Sequence, residues 1–72
     1  MTIKYPKGDI VWVSYYNTNH ELLFIMTSKP LRDYYYLYEL IGGEFKKLGR
    51  ATTPTELEEK FKVHEKMSVQ SV

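Results

Sequence analysis

The chain has 72 residues, a formal net charge of +1 and no cysteine. This length predicts a single small domain over residues 1–72, and the lack of cysteine excludes disulfides and thiolate metal sites. The near-neutral charge gives no support for general polyanion binding, and no apolar run approaches the roughly 20 residues of a membrane span. We therefore expect a soluble, cytoplasmic protein with no membrane partner. Its eight lysines, two arginines and seven tyrosines are typical of AT-rich genomes, so a bacterial or phage source is expected.

Four β-strands are predicted in chain order, separated by polar or glycine turns. Aromatic and β-branched residues without helical spacing are typical of strands, and the chain has four such runs. The predicted strands cover residues 9–16, 21–27, 34–41 and 44–48. Gly42 and Gly43 separate the last two and predict a two-residue hairpin turn.

One helix is predicted after the strands. Thr53 and Glu56 form a capping box, and Pro54 stands at the first helical position. The pattern predicts a helix over residues 54–61, with Leu57 and Phe61 four apart on its buried side.

A closing strand is predicted over residues 63–69, where apolar and polar side chains alternate, with a continued helix as the alternative. The predicted fold class is therefore mostly β (α+β). It is a small SH3-like barrel or a strongly bent antiparallel meander of four to five strands, with one short helix near the C-terminus.

The predicted core combines one face of each hairpin. A turn at Gly42 and Gly43 sets Leu40 opposite Phe45 and Tyr38 opposite Lys47, and an even loop in the first hairpin sets Tyr15 opposite Leu22. An odd loop would pair the faces of that hairpin differently. The expected core residues are Val11, Val13, Tyr15, Leu22, Phe24 and Met26 with Tyr36, Tyr38, Leu40 and Phe45.

The reverse faces of the two hairpins also carry large apolar side chains, namely Trp12, Leu23, Ile25, Tyr35, Leu37 and Leu48. This set exceeds the apolar area that a monomer normally exposes, and the helix is expected to cover only part of it. The remainder is predicted to bind a protein partner or a second copy, through this face or through an unpaired sheet edge. The residues predicted for this protein interface are Trp12, Tyr35, Leu37, Leu23 and Ile25.

A second candidate surface is basic. An up-and-down meander brings the start of the first strand, the second connection and the end of the fourth strand to one end, which gathers lysines and arginines near tyrosines. Cations for phosphates and aromatic rings for bases are what single-stranded nucleic acid requires. The alternative is that lysines occupy turns because they are soluble there. The residues predicted for nucleic-acid binding are Lys7, Lys29, Arg32, Tyr34, Tyr36, Lys47 and Arg50.

No catalytic, cofactor-binding or metal-binding residue is predicted. His20 and His64 have no partner at metal-ligand spacing, and the sequence has no nucleophile-elbow, phosphate-loop or zinc-protease motif. Glu56, Glu58 and Glu59 complement the dipole of the predicted helix. We therefore expect a non-enzymatic binding module without a cofactor.

The stretch Lys-Gly-Asp-Ile-Val-Trp-Val at residues 7–13 resembles the opening strand of the MazF/PemK-type toxins. These are ribonucleases on an SH3-like barrel, so the resemblance implies that barrel and, as a remote alternative, ribonuclease activity. It covers about one strand, and no counterpart of the family's catalytic arginine and threonine segment follows it.

Overall fold

Four strands and two short helices make up the computed structural model, which describes residues 4–29 and 31–68. The elements are β1 (Ile10–Tyr16), β2 (Leu22–Ser28), β3 (Tyr35–Ile41), β4 (Glu44–Ala51), α1 (Pro54–Lys60) and α2 (Val63–Met67). The strands form one antiparallel sheet in the order β1-β2-β3-β4, so β1 and β4 are its edges. The mostly β, antiparallel meander is confirmed. The SH3-like barrel is not, because the sheet is open.

Local turn chemistry sets both predicted hairpins. Gly42 and Gly43 have φ angles of 59° and 81°, the left-handed conformation that a two-residue hairpin turn needs. In the first hairpin, Oδ1 of Asn17 accepts hydrogen bonds from the backbone N–H groups of Asn19 (2.8 Å) and Glu21 (2.9 Å). This asparagine side chain therefore holds the turn that reverses the chain between β1 and β2.

The predicted register of the β3–β4 hairpin is found over the four pairs nearest the turn, as far as Tyr38 opposite Lys47. A β-bulge follows, so Leu37 lies opposite Gly49 and not opposite Leu48 as predicted. Beyond the bulge the strand continues, so β4 runs three residues past the predicted end at residue 48.

The β1–β2 hairpin is shifted by two residues from the predicted register, with Tyr15 opposite Phe24 in place of Leu22. A shift of two keeps side chains on the same face, so Val13 and Tyr15 remain on the predicted face with Phe24 and Met26. Val11, which was predicted in the core on that face, lies opposite Thr27 on the other face and is 41% exposed. A second bulge, between Val11 and Val13, interrupts the pairing at Trp12.

The pairing of β2 with β3 corrects the predicted core. Met26 lies opposite Leu37 and Ile25 opposite Tyr38, so the aromatic set of the second hairpin lies on the reverse side of the sheet from Phe24 and Met26. We call the side with Met26 and Leu37 the helix face, and the side with Ile25 and Tyr38 the tyrosine face. The buried cluster on the helix face is Tyr15, Phe24, Met26, Leu37, Ala51, Leu57 and Val63.

The start of α1 is the one predicted. The Thr53 hydroxyl accepts a hydrogen bond from the backbone N–H of Glu56 at 3.3 Å, and Pro54 is the first helical residue. The helix buries Leu57 completely against the sheet. The Phe61 ring lies so close to Gly49 that a Cβ there would stand 2.9 Å from it. The absence of a side chain at Gly49 thus makes room for Phe61, the residue that caps the end of α1.

The predicted closing strand is wrong, because residues 63–67 form α2. Lys62 has a left-handed backbone (φ 53°), which ends α1 and starts a second short helix in a new direction. Val63 and Met67 are four residues apart, and both pack against the core from one side of α2. Their spacing fits a helix as well as a strand, and the backbone hydrogen bonds from Lys66 to Lys62 and from Ser68 to His64 are those of a helix. Residue 69 of the predicted strand lies outside the described residues.

Thr53→Ala should lower the free energy of unfolding by about 1 kcal/mol, because the first turn of α1 loses its cap. Urea denaturation followed by circular dichroism measures this. Thr52→Ala is the matched control, since Thr52 is exposed and precedes the cap. Equal stability of the two variants would show that the cap contributes nothing.

Candidate binding surfaces

The outer side of β1 is an uncharged, apolar sheet edge. Its sequence, IVWVSYY, contains no charged residue. Four of its side chains are substantially exposed: Ile10 (57%), Val11 (41%), Trp12 (56%) and Tyr16 (49%). An edge strand offers free backbone N–H and C=O groups, and proteins usually protect such edges with charges, proline or bulges. Among the residues that the structure describes, the bulge at Trp12 is the one such feature of β1.

The opposite edge is protected in the usual way. Strand β4 carries Glu44, Lys46, Lys47 and Arg50, and all four are exposed. A second strand approaching this edge would have to desolvate or pair these charges, whereas a strand approaching β1 would meet none. The two edges of the sheet therefore differ sharply in how readily they accept another strand.

The five residues predicted for a protein interface do not form one surface. Trp12 and Tyr35 lie together, with ring centroids 5.5 Å apart in an edge-to-face arrangement. Leu23 is half-buried against the core. Ile25 and Leu37 are 0% exposed and lie on opposite faces of the sheet, so neither offers surface to a partner. The β2–β3 pairing, which the sequence did not define, separates them.

The residues predicted for nucleic-acid binding are better grouped. On the tyrosine face, the ammonium of Lys47 lies 4.6 Å from the ring centroid of Tyr36, and that of Lys29 lies 5.8 Å from it. The guanidinium of Arg50 lies 4.8 Å from the ring centroid of Tyr34. The pairing of Tyr36 with Arg50 across β3 and β4 joins these two sets of cation–π contacts. Five of the seven predicted residues thus form one cluster, which we call the basic tyrosine cluster.

The other two predicted residues, Lys7 and Arg32, are exposed near the same end of the sheet. In the described part of the chain neither has its charged group over an aromatic ring. Tyr38, a third tyrosine of β3, is only 8% exposed. The cluster therefore offers two half-buried rings, Tyr34 and Tyr36, with three cations around them.

Asp9 is the buried charged group of the tyrosine face. Its side chain is 2% exposed, and its Oδ2 accepts hydrogen bonds from the hydroxyls of Thr27 (2.9 Å) and Tyr38 (3.4 Å). The Lys29 ammonium lies 3.3 Å from the other oxygen, Oδ1. Burial, and then the charge of Asp9, raise the pKa of Tyr38. Asp9 thus holds in place Lys29, a member of the basic tyrosine cluster, and the neighbouring Tyr38.

The segment leading to Asp9 crosses the tyrosine face. The Tyr5 ring lies 5.0 Å from that of Phe45 on β4, while Asp9 reaches Thr27 on β2. No role was assigned to Asp9 from the sequence. The signal that could have revealed this role is the position of Asp9 directly before β1, where its carboxylate can reach the hydroxyls of Thr27 and Tyr38 on neighbouring strands.

Asp9→Ala should lower the free energy of unfolding by about 2 kcal/mol, because the buried hydroxyls of Thr27 and Tyr38 lose their acceptor. Asp33→Ala, at an exposed loop position, should change it little and is the control. Guanidinium denaturation compares the two. A loss of similar size in both would contradict the role given to Asp9.

A third cluster joins β1 to the helices. The Tyr15 hydroxyl donates a 2.5 Å hydrogen bond to Oε2 of Glu58, and Nε2 of His64 lies 3.1 Å from Oε1 of the same carboxylate. The hydrogen bond from Tyr15 is the main cause of a lowered pKa for Glu58, and burial opposes it. Burial and the bond to Glu58 raise the pKa of Tyr15. Sequence reasoning explained Glu58 by the helix dipole alone and missed this cross-link.

A shallow pocket of about 410 Å³ lies beside this cluster, lined by Tyr16, Asn17, Thr18, His64, Met67 and Ser68. The Ser68 hydroxyl is not paired with the imidazole of His64, since it donates its hydrogen bond to the backbone carbonyl of His64. His64 in turn faces Glu58 with Nε2. Ser68 and His64 are thus used in holding α2 to itself and to α1.

Tyr15→Phe should lower the free energy of unfolding by about 1.5 kcal/mol near pH 7, because an ionised Glu58 loses its donor. Glu58 has a lowered pKa in the folded state, so its contribution is full above the ordinary glutamate value of about 4.3 and is lost as the pH falls through the lowered value. The contribution of Tyr15, whose pKa is raised, is lost only above about pH 10.

The difference between wild type and Tyr15→Phe should therefore shrink when urea denaturation is repeated near pH 3. Tyr16→Phe is the control, since this neighbouring tyrosine is exposed. A difference that stays constant with pH would show that Tyr15 stabilises the fold by packing alone.

Comparison with known proteins does not identify the chain. No protein-family model, curated protein or solved structure matches it. Among the described residues, no three histidine, cysteine or acidic side chains are grouped closely enough to hold a metal ion. Neither helix in the described part of the chain has the length and apolar character needed to cross a membrane.

Proposed function

We propose that this protein is a small non-enzymatic protein-interaction module, and that its working surface is the apolar edge of β1. The observation that carries the proposal is the contrast between its edges: β1 exposes Ile10, Val11, Trp12 and Tyr16 without one charged residue, while β4 is charged. The absence of cysteine is compatible with a cytoplasmic setting for this module.

The partner that fits this edge best is a second copy of the chain. Two β1 strands can pair antiparallel about a two-fold axis, which joins two four-stranded sheets into one of eight strands. A strand without charges is complementary to itself, because no like charges meet across the axis and no charge is desolvated. The Trp12 ring lies over the sheet against Tyr35 of β3, so only the exposed part of its surface lies beside the joint.

The size of this interface predicts a weak dimer. A large aromatic side chain buries on the order of 150–250 Å² when fully covered, and Trp12 and Tyr16 are about half exposed. With Ile10 and Val11, each copy would bury a few hundred Å². This is less than the roughly 800 Å² per partner of a standard interface. We therefore expect reversible dimerisation in roughly the micromolar range.

Sedimentation equilibrium from about 1 to 300 μM tests the proposal, since this range spans micromolar dissociation constants. Wild type should pass from monomer to dimer. Ile10→Lys should sediment as a monomer throughout, because the new charge of each copy would be desolvated against the partner's β1 strand.

The matched control is Ile41→Lys, which places the same charge at an isoleucine of similar exposure (52%) at the end of β3. This variant should dimerise like wild type. A wild type that stays monomeric at the highest concentration would overturn the proposal. So would an Ile41→Lys variant that dissociates as readily as Ile10→Lys.

A further inference from the structure

We infer that the basic tyrosine cluster is a binding site for single-stranded nucleic acid, on a different part of the molecule from the β1 edge. The inference rests on the placement of Lys29, Lys47 and Arg50 around the rings of Tyr34 and Tyr36. It does not depend on dimerisation.

The charges around the basic tyrosine cluster favour an anionic ligand. Strands β3 and β4 place Lys47 and Arg50 on the tyrosine face, whereas Glu39, Glu44 and Lys46 lie on the helix face. The sole carboxylate in contact with the cluster in the described structure is Asp9, and it is buried against Lys29. Lys47 and Arg50 are both exposed, so they are the groups that reach a phosphate.

The ring spacing selects a single strand. Tyr34 and Tyr36 are two residues apart along an extended chain, about 7 Å at 3.3–3.4 Å per residue. This is about twice the rise of 3.4 Å per nucleotide in a helical strand, so bases stacked on both rings belong to an extended strand. In a duplex the base faces are closed to such contacts.

The cations over the rings do not block this use. In the free protein the Lys47 ammonium lies over Tyr36, an exposed cation–π contact that is weaker than a base–aromatic stack. When a phosphate draws the flexible lysine side chain aside, the ring face becomes open to a base. The same lysine thus covers the ring when the site is empty and binds the backbone when it is filled.

Fluorescence anisotropy with a labelled oligo(dT) of about 15 nucleotides tests the inference, first at about 20 mM salt and then at higher salt. Wild type should bind, with affinity that falls as salt rises. Lys47→Glu and Lys46→Glu are the central pair, because they change the net charge equally at adjacent positions on opposite faces of β4. Lys47→Glu should weaken binding about tenfold or more, and Lys46→Glu less than about threefold.

The stacking contribution is tested at Tyr36. Tyr36→Phe, which keeps the ring, should bind like wild type, and Tyr36→Leu should bind about fivefold or more weakly. Circular dichroism confirms that each variant is folded. Inorganic polyphosphate and a duplex of the same length should compete poorly, because neither offers a base to the rings.

Three results would overturn the inference. One is no binding by wild type at the lowest salt. Another is an equal loss in the two lysine variants, which would mean attraction by overall charge. The third is polyphosphate that competes as well as the oligonucleotide, which would mean that no base is contacted.

Discussion

The pairing of β2 with β3 is the constraint on which the rest of the structure depends. Because Met26 lies opposite Leu37, the two hairpins combine one side of each on the helix face, where α1 and α2 cover them. Because Ile25 lies opposite Tyr38, Tyr36 and Tyr38 fall on the other face, whereas Tyr35 packs against the core of the helix face. A slip of one residue would exchange the two faces of β3 and β4, placing Lys47 over the core.

The two faces are covered by different physical means. On the helix face, apolar burial dominates, with Leu57 and Val63 completely buried over the sheet. On the tyrosine face, the segment before β1 brings Asp9 to the hydroxyls of Thr27 and Tyr38. A buried carboxylate is stable only where it accepts hydrogen bonds, and Asp9 accepts them from Thr27 and Tyr38. The segment before β1 therefore covers this part of the tyrosine face. The rings of Tyr34 and Tyr36 lie beyond it and are only half-buried.

The elements that were predicted correctly are those set by residues close together in the sequence. Gly42 and Gly43 gave a turn and four correct cross-strand pairs, and Thr53 with Pro54 gave the start of α1. The connection from β2 to β3 has no two-residue turn signature, so nothing in it defined how the hairpins meet. The predicted core therefore combined the wrong faces of the two hairpins, and the residues of the predicted protein interface lie on both faces of the sheet. The basic tyrosine cluster was largely predictable because its members are close in sequence on β3 and β4, or at the end of β2.

The charges of β4 explain how the two proposed surfaces coexist. Pairing of two β1 strands about an axis perpendicular to the sheet keeps both tyrosine faces on the same side of the joined sheet. In each basic tyrosine cluster, Tyr36, Lys47 and Arg50 lie on β3 and β4, away from that joint, while Lys29 and Tyr34 lie in the connection between β2 and β3. In this arrangement Lys47 and Arg50 would have two roles. Their charges discourage the addition of a strand at the β4 edge, and their exposed side chains face solvent, where a phosphate can approach. Removing charge from β4 would therefore weaken anion binding and also create a second reactive edge, turning a closed dimer into an open chain of sheets.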